Sequence, residues 1–377
     1  MTRKASRSIA FRRDPDQRES STRNYASKEE FFCKLNRDFP ALMRGSVEMP
    51  VATQFELLDL RQFSARQLRP LLEAEAVVWD QRLRWDYRSS TELLLQYLDS
   101  RILPGFVALD RGRLAGYTFC VYEGHKAVVG DAFGLSSSPE QGLQIVDALL
   151  RRLVDLLLHS PNIGRVESQL LLYDAGQVEG GFLDAGFIRH PRLFMEFDFA
   201  RAAADLPTPQ TAPGVDLIPW SSIYYQAAAE LIHAAYHGHI DAEINDQYCS
   251  LHGSLRFLHN IVRFPGCGVF EDHQSWLLRD QENGRLVGMV LCSRVAPDVA
   301  HITQLCVAPS HRGRGLGKLL LNHTARRLRQ SGTAAITLTV TESNRSAVSL
   351  YENAGFEVRH RFDAMVLSRE STLWMRG

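Results

Sequence analysis

The chain has 377 residues, 45% of them hydrophobic, enough to bury one large core or two ordinary ones. Its 43 Lys and Arg balance 43 Asp and Glu, so no charge excess points to nucleic acid or to a membrane surface. No apolar run reaches the roughly 18 residues of a membrane span, and the cysteines lack metal-type pairing, which reads as a reduced, cytoplasmic protein.

Residues 1–50 are polar, rich in Arg and Ser and without sustained periodicity, and predict a disordered extension. A short strand at Glu56–Leu60 and a helix then open a first half, residues 52–200. Apolar spacing from Leu143 to Leu157 predicts a long helix, and Phe182-Leu-Asp-Ala-Gly186-Phe187 reads as a helix end leading into a strand. Residues 201–213, rich in Ala and Pro, read as a linker. The second half, residues 214–377, starts alike with a strand at Val215–Pro219. Its segment His237–Tyr248 carries Asp241, Glu243 and Asp246, which together suit a cationic amine.

A short buried strand is expected at Ile302–Val307, followed by Arg312-Gly313-Arg314-Gly315-Leu316-Gly317-Lys318 and a helix beginning near Gly315. Glycines at such a turn leave bare N–H groups at the positive end of the helix, a receptor for phosphate or pyrophosphate. Arg312, Arg314 and Lys318 add attraction. A P-loop does not fit, because Arg312 and Leu319 stand where it needs Gly and Ser or Thr. After a β-rich run, Ala335–Thr341, the residues Asn344, Ala347 and Tyr351 share one helical face. Gly355 is placed to end that helix and Phe356 to start a last strand.

The order of these elements, with Arg312-x-x-Gly315-x-Gly317 and Asn344-x-x-Ala347-x-x-Leu350-Tyr351, resembles the cofactor half of the GNAT superfamily of acyl-CoA N-acyltransferases. The resemblance implies an α/β (α+β) fold with a mixed central sheet flanked by helices. It implies acetyl-CoA as acyl donor and no metal. The pyrophosphate would lie on Arg312, Gly313, Arg314, Gly315, Leu316, Gly317 and Lys318. The pantetheine arm would run along Leu305, Cys306 and Val307 toward Asn344 and Ala347. Tyr351 would return a proton to the departing thiolate. His301 is the only titratable side chain on the strand before the turn, eleven residues ahead of Arg312, where some family members carry their base. An unperturbed histidine titrates near neutrality. Strict alternation would put His301 on the face of Thr303 and Leu305, opposite Gln304, which could orient substrate or water.

The chain also repeats itself. Phe182-Leu-Asp-Ala-Gly186-Phe187 matches Tyr351-Glu-Asn-Ala-Gly355-Phe356 at a constant offset, which predicts two tandem domains. This architecture resembles that of mycothiol synthase. The first copy reads Pro139-Glu-Gln-Gly142-Leu-Gln144 in place of the cationic glycine turn, and Phe182 has no proton to give. It is expected to keep the fold without the chemistry, serving in packing, dimerisation or shaping of the acceptor pocket. The expected activity is transfer of acetyl from acetyl-CoA to a primary amine of a small molecule by direct attack, carried by the second copy. The alternatives are a protein or peptide N-acetyltransferase and a non-catalytic acyl-CoA sensor. A homodimer is compatible with either.

Overall fold

In a computed structural model that describes residues 55–201, 212–264 and 266–369, the apolar runs assemble into a single mixed sheet. The readings of residues 1–50 and of most of the linker fall outside the described residues. The first half comprises β1 (Glu56–Asp59), α1 (Ala65–Leu83), α2 (Arg88–Ser100), β2 (Gly105–Asp110), β3 (Arg113–Glu123), β4 (Lys126–Gly134), α3 (Pro139–His159), β5 (Arg165–Gln169), α4 (Gly180–Asp184) and β6 (Ile188–Asp198). The second comprises β7 (Val215–Pro219), α5 (Tyr225–Tyr236), α6 (Ile240–Ile244), α7 (Leu251–Arg263), β8 (Val269–Phe270), β9 (Trp276–Asp280), β10 (Leu286–Ala296), β11 (Val299–Val307), α8 (Leu316–Gln330), β12 (Ala335–Thr341), α9 (Arg345–Glu352) and β13 (Glu357–Ser368).

Helices cover both faces of the second half's sheet. α8 and α9 close one core with Ile302, Ile336 and Leu338, and α5 and α7 close the other with Met289, Leu291 and Cys306. β10, sandwiched between them, is buried along nearly its whole length, as a strand covered on both faces must be.

The repeat is visible in backbone bonds. Phe187 N–H donates to Phe182 O, and Phe356 N–H donates to Tyr351 O, both at 3.0 Å. Gly186 and Gly355 sit at φ 84° and 94°, the left-handed turn that ends each helix. In both halves the fourth long strand carries an extra residue opposite its antiparallel neighbour, at Gly130 and at Thr303. In both, a short parallel pairing then stops: β4 with β5 after Val129 and Ser168, β11 with β12 after Ile302 and Leu338. Beyond those pairs the strands diverge.

The halves do not sit side by side as closed units. The strand order is β1-β2-β3-β4-β5-β13-β6-β12-β11-β10-β9-β7, with β8 also on β10. β5 therefore takes the last strand of the second half as its neighbour, and β12 takes the last strand of the first. β6 and β13 pair with each other between them. Sequence halves 52–200 and 214–377 have thus exchanged their final strands.

Exchange makes each half incomplete. Expressed separately, residues 55–200 and 212–369 would each leave a central strand edge unpaired, a template for aggregation. Each fragment alone is expected to be insoluble or to lack a cooperative transition in circular dichroism, and co-expression should restore a folded complex. A first fragment that unfolds cooperatively alone would contradict this.

Candidate functional site

Where β11 and β12 part, the sheet opens into a cavity of about 400 Å³. Its walls are the end of β11 from His301 to Leu305, β12 from Leu338 to Val340, and Asn344, Ala347 and Tyr351 of α9. Its roof is the second half's helix-joining segment, with Tyr236, Asp241, Tyr248, Phe257 and Phe264. The glycine turn follows β11. Gly313 and Gly315 adopt φ 76°, conformations that cost an L side chain about 1–2 kcal/mol, and a Cβ on either would meet open space. α8 starts on Gly315 without a side-chain cap, so its first-turn N–H groups face outward. Leu316 is buried in the core, and Gly317 lies close to Leu350, where a Cβ would come within 3.3 Å.

The cations of this turn are placed differently from one another. Arg312 donates from Nη2 to Ala235 O at 2.5 Å, tying the turn to the end of α5. Arg314 donates to Pro213 O at 3.2 Å, and Lys318 is exposed. Tyr351 is buried, and burial, with Asp241 and Cys306 nearby, pushes its hydroxyl well above the ordinary tyrosine value. It stays protonated at neutral pH. Asn344 caps α9 by accepting from Ala347 N–H at 3.2 Å, and its amide meets His239 Nε2 at 3.4 Å.

His301 departs from the sequence-based expectation in two ways. The extra residue at Thr303 breaks alternation, so Ala300 and Ile302 share a face with Leu305 and Val307. His301 therefore falls on the face of Gln304 and Cys306. Its ring is packed between Trp85, at 5.0 Å, and Phe194, at 6.1 Å, with Nδ1 2.9 Å from Thr337 Oγ1. Burial, reinforced by the positive charge of Arg192, lowers its pKa to about 3. It is a neutral ring at physiological pH and a far weaker base than a solvated histidine. Gln304 lines the cavity, with its amide against the Cys306 thiol, which burial raises to about 12.

Of the three expected acceptor carboxylates, only Asp241 lines the cavity. Burial works against its charge, but bonds from His239 and Thr341 and the Arg192 charge prevail, and its pKa is lowered. Glu243 is exposed and its side chain faces away. Asp246 is consumed by buried Lys126 at 2.6 Å, which also meets Glu167 at 3.1 Å and Glu123 at 3.4 Å. Gln247 donates to Glu123 and Asp246 N–H donates to Glu167, so the first half holds the roof in place.

Two of the cavity residues that escaped the sequence reading come from the first half. Arg192 of β6 and Gln169 of β5 reach the site from the first half. Arg192 enters because β6 pairs with β12, opposite Thr341. No local spacing signals this.

The first half's counterpart is closed. The space under Phe182 measures about 10 Å³, no more than one water. Tyr173 donates to Ala132 O at 2.8 Å, and the ring of Phe119 packs onto Gly130, so the splay is filled with protein. Asp131 occupies the position of Gln304, buried beside Glu75, whose carboxyl burial raises well above its usual range. α3 is capped by Ser138, which accepts from Gln141 N–H and donates to Glu140.

Residues 239–356 match the acetyltransferase (GNAT) family. Mycothiol acetyltransferase of Thermomonospora curvata is 39% identical over 89 residues, 23% of this chain and 29% of that protein. A GCN5-related N-acetyltransferase from Sphaerobacter thermophilus superposes with a TM-score of 0.58 at 16% identity, over 84% of this chain and 96% of that one. A tandem GNAT protein from the clavulanic acid biosynthesis pathway gives 0.51 at 15% identity, over 83% and 98%. Residues 239–356 are thus similar in sequence to the GNAT family, and the whole chain shares the fold of tandem GNAT structures. Its mixed sheet flanked by helices is the expected fold of GNAT proteins. The [ribosomal protein bS18]-alanine N-acetyltransferase of Escherichia coli K12 is 31% identical over 97 residues, 25% of this chain and 65% of that enzyme. The chain thus spans less than two thirds of the length of these curated GNAT relatives.

The buried histidine has a pH signature. Its folded pKa, about 3, lies below the unfolded value of about 6.5. As pH falls from 7, the unfolded chain takes up a proton there before the folded one does, so stability declines. By pH 5 this should remove about 2 kcal/mol relative to pH 7. In urea titrations the stability advantage of wild type over His301→Gln should shrink by that amount, and a constant gap would contradict the burial argument.

Proposed function

We propose that this protein transfers the acetyl group of acetyl-CoA to the primary amine of a small molecule, and that the second half carries the reaction. The carrying observation is a protonated, buried Tyr351 on the wall of a cavity that opens where two parallel strands diverge, with an uncapped glycine-started helix following the same strand β11. That arrangement suits an extended thioester: the pyrophosphate on the N–H groups of α8, and the arm along the open edge of Leu305–Val307. The thioester supplies an activated acyl carbon, and the chain's own groups position and protonate.

Tyr351 is the candidate acid for the leaving thiolate, and its raised pKa keeps the proton available. Asp241, ionised at neutral pH and on the cavity wall, is the candidate holder of the incoming ammonium. His301, with its low pKa, is a better neutral hydrogen-bonding and packing group than a base. The roof over the cavity, including Asp241, Asn245 and Tyr248, favours a small acceptor over an extended peptide. Relatives of both kinds exist, one acting on a ribosomal protein and one on mycothiol by name. The first half, with its plugged cleft, acts as support. The five free cysteines among the described residues suit a cytoplasmic setting.

Tyr351→Phe is expected to lower kcat by about 100-fold while acetyl-CoA affinity holds within about twofold. CoA release with an amine panel, beside calorimetric titration of acetyl-CoA, checks both. Unchanged kcat under conditions where chemistry limits the rate would remove Tyr351 from the acid role.

A further inference from the structure

Arg192 stands out among the polar groups around the cavity. Its guanidinium cannot lose its charge, and it carries five N–H donors. Nη1 donates to Gln169 Oε1 at 2.9 Å and Nη2 approaches Thr339 Oγ1 at 3.4 Å. Both partners are neutral. Nε is buried and has no acceptor. Asp241 senses the positive charge, but its oxygens are taken up by Thr341 and, at 3.4 Å, by His239. Among the described residues no carboxylate lies within ion-pair distance of Arg192.

This contrasts with two other buried or partly buried cations, Lys126 and Arg294. Lys126 has three carboxylates and Arg294 has a paired bond to Glu271. Arg192 instead lines the cavity, its guanidinium held in orientation by Gln169 and Thr339 and its buried Nε–H left without an acceptor. A guanidinium on a cavity wall with no carboxylate of its own is a natural partner for the two oxygens of a ligand carboxylate. On the same cavity wall lies Asp241, of opposite sign. The pair complements a ligand with a cationic and an anionic end.

We propose that the acceptor is an amino-carboxylate, with its carboxylate held by Arg192 and its amine turned toward Asp241 and the thioester. The inference rests on the acetyl-transfer reading and adds the substrate class. It gives the first half a direct part in recognition, since Arg192 and Gln169 both belong to it. In the reaction the amine nitrogen bonds to the acetyl carbon and the carbon–sulfur bond breaks. The ammonium gives up two protons to solvent, the thiolate takes one from Tyr351, and solvent restores the tyrosine proton. The carboxylate is unchanged throughout.

Matched acceptors test this: glycine, β-alanine and 4-aminobutyrate against ethylamine, propylamine and butylamine, each assayed by CoA release. Arg192→Gln should lower the ratio of kcat/KM for carboxylate over alkyl acceptors at least tenfold, and Arg192→Lys should keep part of it. Taking ratios cancels differences in amine basicity and any general loss of fold. An unchanged ratio overturns the proposal. If neither series is acetylated, calorimetric titration of the three amino-carboxylates into the CoA-saturated protein decides. Binding that disappears in Arg192→Gln supports the anion subsite and sets aside the transfer reaction. No binding of any of them overturns the subsite as well.

Discussion

The exchange of β6 and β13 is the constraint on which the rest of the molecule depends. Had each half kept its own last strand, the order at the centre would have been β5-β6-β13-β12. In the observed order every central strand borders one from the other half. The antiparallel pair β6–β13 then acts as a shared spine, and the divergence of β11 from β12 is fixed on one side by a strand of the opposite half. The cavity inherits its shape from this pairing, because the position of β12 is set by β6.

Electrostatics reinforces the same dependence. Lys126, buried in the first half, is neutralised by Glu167 and Glu123 of its own half and by Asp246 of the second half's roof. Burial by itself would discharge it, but the three carboxylates outweigh that and raise its pKa. Removing Lys126 would leave these carboxylates facing one another without their shared counter-charge, the kind of loss that typically costs about 3–5 kcal/mol. The roof is therefore anchored by charges that never touch the cavity. Trp85 and Phe194 act across the same boundary on His301, since their burial of the ring helps set its chemical state.

Much of this was legible in the sequence. Gly315, Tyr351 and Gly355 announced themselves through local rules: a glycine where φ must be positive, and a helical spacing that puts Asn344, Ala347 and Tyr351 together. The repeat was legible for the same reason, since Phe182 and Tyr351 end equivalent helices. What failed was long-range. His301 looked like a near-neutral base because nothing nearby in the chain shows Trp85 folding over it. One extra residue at Thr303 was enough to reverse its face. Glu243 and Asp246 looked like acceptor ligands because their spacing did not reveal Lys126, more than a hundred residues away. Arg192 was invisible as a site residue because its presence there depends on which strand neighbours β12, and strand order is not written in periodicity.

The filled cleft of the first half carries a consequence for how this chain tolerates change. Tyr173, Phe119 and the Glu75–Asp131 pair occupy the space that the second half leaves open. Yet the first half's strands fix the other half's cavity wall, and two of its side chains line it. A substitution in the first half is therefore felt in the cavity of the second. Gene duplication ordinarily frees one copy to drift; here the exchanged strands make the two copies a single unit of inheritance.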